Sequence, residues 1–222
     1  MGKLDDVVGS DRQAGRQEIR QPQQQPPTAF RTKTPALTEA KLAELNLCLL
    51  GAAGCGNLGL AKQMIEDGAN PRSRDENGVT VLMKAAMNGH FDVVKWLVED
   101  CHVPLDEKDN EGMTALMHAA QKSQRDVTQY LVNKGSNPNE LDNFLRNALI
   151  HACLGSNNRD PDYDIEVVGI LLPGTHDINH VDAHGATALD WAEFSRKEDV
   201  ADLLRRWGAL EKDARIHQDE SQ

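Results

Sequence analysis

Three groups of residues in this chain have types and spacings that could do chemistry. Gly54-Cys-Gly56-Asn-Leu-Gly59 spells the glycine pattern that lets a backbone approach a pyrophosphate. Asp160, Asp162, Asp164 and Glu166 stand at alternate positions, like carboxylates that gather around a calcium ion. His118 and His151 occupy the same place in two similar segments, and stacked imidazoles would suit a metal ion or a pH switch.

None of the three sits in the element its chemistry requires. A dinucleotide site needs a strand before the glycines, and here they fall on a turn between two helical patterns. A calcium loop wants Gly at its sixth position and Glu at its twelfth; this one offers Ile165 and Leu171, so a solvated acidic loop is expected. No Cys or carboxylate stands at ligand spacing beside the two histidines and HExxH is absent, which places them on helix faces between repeats. Cys55 and Cys153 read as small buried hydrophobes without basic neighbours. No Ser/His/Asp arrangement is visible. No catalytic residue, metal site or cofactor is expected.

What does organise the chain is self-similarity. Five segments align: Leu47–Ala53, Thr80–Ala86, Thr114–Ala120, Asn147–Cys153 and Thr187–Glu193. Their first residues are 33, 34, 33 and 40 positions apart. The third residue is always Leu (Leu49, Leu82, Leu116, Leu149, Leu189) and the sixth always Ala (Ala52, Ala85, Ala119, Ala152, Ala192). Three positions apart, these share one helix face, and the small Ala lets a neighbouring helix approach. A second apolar helix pattern follows each segment, as in Val93-Val94-x-Trp96-Leu97 and Val167-Val168-x-Ile170-Leu171. Gly68, Gly135 and Gly208 end three of these second helices. Polar turns follow: DENG at 75–78, DNEG at 109–112 and DAHG at 182–185.

The 33-residue period, the GxTxLxxAA run and the small residues after the second helix resemble the ankyrin-repeat family, over roughly residues 45–210. The resemblance implies an all-α solenoid of about five repeats, helix-turn-helix units with short β-turn fingers. The family's Thr-Pro-Leu-His tetrapeptide is nowhere intact. Its Pro place holds Cys48, Val81, Ala115, Ala148 and Ala188, and its His place Leu50, Met83, Met117, Ile150 and Asp190. The Thr–His hydrogen bonding of the family is therefore expected to be lost, with apolar packing in its stead. In the fourth unit Leu145 replaces the turn glycine, where positive φ would strain it. That unit also carries seven surplus residues, assigned to the inter-helix turn at 154–164.

Three segments are expected: a disordered Gln/Pro-rich arm at 1–36, the repeat domain at 37–210 with units starting near 43, 76, 110, 143 and 183, and a flexible charged tail at 211–222. TEAKLAEL at 38–45 extends the first helix, and unit five, with Arg196, Lys197, Glu198, Asp199, Asp202, Arg205 and Arg206, makes a solvated C-terminal cap.

Composition narrows the function. Nine aromatics in 222 residues disfavour a β-sandwich and a base-stacking platform. A net charge of −11 makes nucleic acid an improbable partner and favours a protein of basic character. No run of 18 apolar residues spans a membrane, no secretory leader is visible, and Asp6 stands where a myristoylation signal wants Ser or Thr. The widely spaced cysteines include no CxxC pair, which fits reduced thiols. A cytoplasmic protein, with the nucleus also open to it and monomeric by itself, is expected.

The resemblance implies a non-catalytic interaction module, a scaffold or adaptor that binds a partner protein through its concave face. Carried over in register, the partner-binding positions are Glu76, Asn77, Val79, Asn110, Glu111, Met113, Asn143, Phe144, Arg146 and His184 on the turns, with Met87, Asn88, Gln121, Lys122 and Phe194 at the first-helix ends. Met113, Phe144 and Met87 are expected as exposed apolar anchors. Two alternatives stand beside this. Arg146–Ala152 resembles one repeat of the interferon-induced, oligoadenylate-dependent ribonuclease, which implies a nucleotide ligand; and a regulatory inhibitor of an enzyme or transcription factor would use the same surface.

Overall fold

A computed structural model describes residues 38–155 and 161–211, with the side chains of 161–163 excepted. The arm expected at 1–36, Asp160 of the acidic run and nearly all of the tail lie outside the described residues, and so does the side chain of Asp162.

Ten α-helices form five antiparallel pairs, with no strand among the described residues: α1 (Glu39–Gly54) with α2 (Leu58–Glu66), α3 (Val81–Met87) with α4 (Phe91–Glu99), α5 (Ala115–Gln121) with α6 (Arg125–Asn133), α7 (Ala148–Leu154) with α8 (Pro161–Leu171), and α9 (Ala188–Phe194) with α10 (Glu198–Arg206). Odd-numbered helices stack on one another as an inner row, even-numbered helices as an outer row. Four of the inner helices have only seven residues, too few to persist alone in water. Their stability is therefore tertiary. The register Leu and Ala of every unit are buried in one continuous aliphatic cluster, in which Leu49, Leu116, Leu149 and Leu189 are almost wholly enclosed.

Side chains start each inner helix. The hydroxyls of Thr80, Thr114 and Thr187 and the amide oxygen of Asn147 accept the backbone N–H three residues on, at 3.0–3.3 Å. The family's Thr–His bond is absent as expected, but in the three threonine units another side chain makes the return half of the cap, which corrects the expectation that apolar packing alone replaces it. The Met83 and Met117 sulfurs take the Thr80 and Thr114 N–H groups at 3.3 and 3.4 Å, and an Asp190 oxygen takes both N–H and O–H of Thr187 at 2.7 and 2.9 Å.

Between units the chain makes four polar fingers, led by Asp75, Asp109, Asp142 and Asp182. In each, one carboxylate oxygen accepts the N–H groups two and four residues on, at 2.8–3.1 Å. The fingers also bond to one another. Asn110 N–H donates to the Asn77 carbonyl (3.0 Å), Asn143 N–H to Glu111 (2.9 Å) and Ala183 N–H to Phe144 (2.8 Å).

Gly78, Gly112 and Gly185 hold φ of 75°, 82° and 72° at the fourth finger position, and Leu145 holds 58°. A Cβ on Gly78 would meet Asn110 Oδ1 at 2.6 Å, and one on Gly112 would meet Asn143 Oδ1 at 2.7 Å. The finger after Leu145 carries Ala183 where those carry Asn, so no such side chain opposes the leucine; only the left-handed backbone strains it. Leu145 is half exposed and forfeits little burial. Leu145→Gly should raise stability by about 0.5–1 kcal/mol, read from the urea midpoint.

The helix α8 begins at Pro161, so the last part of the segment assigned to a turn is helical. Aligning Val167 with Val93 puts Asp164 at the register of His90, Gln124 and Lys197. In the other units this residue ties its outer helix to the preceding inner helix. His90 Nε2 meets Gly54 O (2.9 Å), Gln124 Nε2 donates to Met87 O (3.0 Å) and Lys197 Nζ donates to Ala152 O (3.1 Å). Lys197 is a cation where Gln124 is a neutral amide, and its charge is answered by Asp164 at 3.0 Å, both side chains more than nine-tenths buried. The Ser123 hydroxyl donates to the other Asp164 oxygen. Asp164 is thus no solvated loop acid and Lys197 no solvated cap residue. Glu166 does face solvent and pairs with Arg125 at 2.8 Å.

Candidate interaction surface

Each finger aspartate receives a second partner, nine residues on, from the inner helix it leads. Lys84 reaches Asp75 (2.9 Å), His118 reaches Asp109 (2.8 Å), His151 reaches Asp142 (2.9 Å) and Trp191 Nε1 donates to Asp182 (3.0 Å). This corrects the reading that no carboxylate neighbours the two histidines. No cluster of three His, Cys, Asp or Glu fit to hold a metal occurs among the described residues.

These contacts set the ionisation of the site. Burial alone would raise Asp75, Asp142 and Asp182, but the Lys84 ammonium, the His151 and Trp191 ring N–H groups and the turn amides outweigh it and hold all three below the ordinary value. Burial pushes His118 down, and Asp109 only partly offsets it. Burial lifts the Cys153 thiol to about 12, so it stays an inert thiol. Depressed values on both residue types have one sign: the unfolded chain binds more protons, so stability is lost as the pH falls. The first loss begins below the ordinary histidine value of 6.5 and the next around the ordinary aspartate value of 3.8. The urea midpoint should drop between about pH 7 and pH 5, and His118→Gln should flatten that step without abolishing the later one.

The structure separates the sequence-chosen residues into three groups. Val79 and Met113 are buried, which corrects their placement on the binding surface. They hold the fifth finger position, where the N–H is bound by the leading aspartate (3.0 and 2.9 Å) and the side chain enters the core. Asn110 and Asn143 are exposed but donate their amides to Glu76 O (3.1 Å) and Asn110 O (2.9 Å), and Asn88 bridges Gly54 O and Lys84 O. These lock the scaffold. Glu76, Asn77 and Glu111 are exposed finger tips, while Met87, Gln121 and Lys122 are half-buried.

The third group converges. Arg146 also holds the fifth finger position, so its guanidinium lies where Val79 and Met113 bury apolar groups. Three contacts compensate it: Asp182 accepts from Nε at 3.2 Å, and the rings of Phe144 and Trp191 lie 5.0 and 5.4 Å from the guanidinium carbon. Phe144 stacks on His184 with centroids 6.5 Å apart, and Phe194 meets Trp191 edge-on at 5.7 Å. Phe194 is 80% exposed and Phe144 45%. The result is a patch of exposed rings around a clamped arginine on the finger and inner-helix side of units four and five. Trp191 was not singled out from the sequence. The signal was there: it holds the register of His118 and His151.

The family model for ankyrin repeats (3 copies) matches residues 49–142. The finger, capped inner helix and outer helix seen there recur beyond the match, in the units led by Asp142 and Asp182. Ankyrin repeats are generally protein–protein interaction modules and typically non-catalytic. No described helix is long and apolar enough to cross a membrane. Repeat match, finger ladder and doubly layered helices agree: residues 49–142 carry ankyrin repeats, and the two units beyond them share the same architecture.

Proposed function

We propose that the protein is a non-catalytic adaptor that binds a partner protein through its finger and inner-helix surface, with Phe144, Arg146, Trp191 and Phe194 as the anchor. The observation that carries this reading is Phe194, 80% exposed at the rim of an arginine held between two aromatic faces. Arginine and aromatic side chains, immobilised before contact, are the residues that concentrate binding energy at interfaces. Solvation alone gives no reason to keep such a ring on the surface. The oligoadenylate alternative needs an uncompensated basic group for its phosphates, and Asp182 neutralises the arginine of this cluster.

The test is affinity capture with the wild-type chain and a Phe144→Ala, Phe194→Ala variant. Both positions are exposed, so folding should be retained. The variant should lose partners at least about tenfold in affinity. Retention of every specific partner at wild-type strength would remove this surface from consideration.

A further inference from the structure

The finger ladder has a direction, and its first rung is open. In three successive fingers the second residue donates its N–H to the third residue of the finger before it: Asn110 to Asn77, Asn143 to Glu111, Ala183 to Phe144. Glu76 holds that donor position in the first finger, and its N–H has no partner among the described residues. No finger precedes it, because α1 runs unbroken through the place a finger would occupy.

What stands there instead is a groove of about 620 Å³ between α1 and the first finger. Its lining includes Ala43, Leu47, Leu50, Ser73 and Glu76. Leu47 is 69% exposed, at the register where three later units place a buried threonine cap. The Ser73 hydroxyl is enclosed and has no hydrogen-bond partner among the described residues, although the residue is more than nine-tenths buried. An open backbone donor and an uncovered leucine therefore line one groove, with the enclosed Ser73 at its wall.

We infer that this groove binds an extended peptide segment of a partner protein, added to the ladder as its missing rung. A backbone carbonyl of the peptide accepts from Glu76 N–H, as the carbonyls of Asn77, Glu111 and Phe144 do further along. One apolar side chain covers Leu47. The charge of the occupant follows from its neighbours. Lys84 already engages Asp75, and Arg74 is paired with Glu107 at 3.0 Å, whereas the Glu76 carboxylate has no ion-pair partner among the described residues. The peptide therefore places a Lys or Arg beside its apolar residue, in keeping with the net charge of −11. This site lies on units one and two and is independent of the Phe194 anchor.

The test uses a displayed library of random heptapeptides selected on the full chain, with the recovered peptides titrated into 15N-labelled protein. Recovered sequences should pair an apolar with a basic residue and shift the Glu76 amide resonance. Leu47→Asp and Glu76→Lys, both at exposed positions, should each weaken binding about tenfold, while Phe194→Ala should leave it unchanged. Acidic consensus peptides, an unmoved Glu76 amide, or binding lost with Phe194→Ala but kept with Leu47→Asp would overturn the inference. A selection that returns no peptide dependent on Leu47 would do the same. The Phe194 anchor stands or falls separately, by the capture experiment on its own variant.

Discussion

Replacing Lys197 with Met is expected to destabilise the protein by about 3–5 kcal/mol, the largest loss from any single side chain outside the aliphatic cluster. The cost does not come from the ammonium as such. Removing it strands the Asp164 carboxylate, which is more than nine-tenths buried and keeps only the Ser123 hydroxyl among the described side chains. Ala152 O loses its donor at the same stroke. The pair joins unit four to unit five, and Ser123 extends it to unit three, so the loss should fall on the C-terminal half. Hydrogen exchange should then speed up in α8 to α10 more than in α3 to α5. The structure also dictates the rescue. Gln124 shows that a neutral amide serves at this register. The double variant Asp164→Asn, Lys197→Gln removes both charges and keeps the donor to Ala152, and it should recover most of the loss. A double variant no more stable than Lys197→Met would show that the ion pair is not what the site requires.

Asp182→Asn is the second large effect, and it reports on structure and binding together. The Asp182 side chain has no solvent exposure. One oxygen holds the finger through His184 N–H (2.8 Å) and Ala186 N–H (3.1 Å). The other holds Arg146 Nε and Trp191 Nε1. The asparagine carbonyl can replace the first oxygen, but its NH2 group would face two donors. The expected cost is roughly 3 kcal/mol in folding stability, from two buried donors left unpaired. Phe194 and Phe144 remain in place, yet the arginine between the rings loses its anchor. Partner affinity should therefore fall even under conditions where the variant is fully folded. Wild-type affinity in the folded variant would mean that Arg146 is a structural residue and that Phe144 and Phe194 suffice.

The same two sites show how much was legible beforehand. Leu49 to Leu189 and Ala52 to Ala192, repeating at about 33 residues, are enough to set five inner helices and the side each one buries. That information is local and periodic, and the chain carries it in every unit. Leu145 was legible for the same reason, because a register position that wants positive φ can be identified without coordinates. The insert was only partly legible. Its surplus length is plain, but assigning Asp164 to a loop missed that Val167 and Val168 carry the helical register back to the position of His90 and Gln124.

The candidate surface divides in the same way. Phe144, Arg146, His184 and Phe194 follow from register alone, since each holds a position where repeat packing does not demand its residue type. Val79 and Met113 do not follow, because the finger turns its fifth residue inward and only the backbone path reveals that. The sequence by itself determined the repeat, the helix faces, the capping residues and the acidic balance. Only the tertiary structure decided which groups meet: Arg146 with Asp182 and Trp191, Asp164 with Lys197, and a Glu76 N–H with no partner among the described residues. Periodicity constrains neighbours a few residues apart, whereas these contacts span 33 to 45 residues and depend on how one unit is rotated against the next.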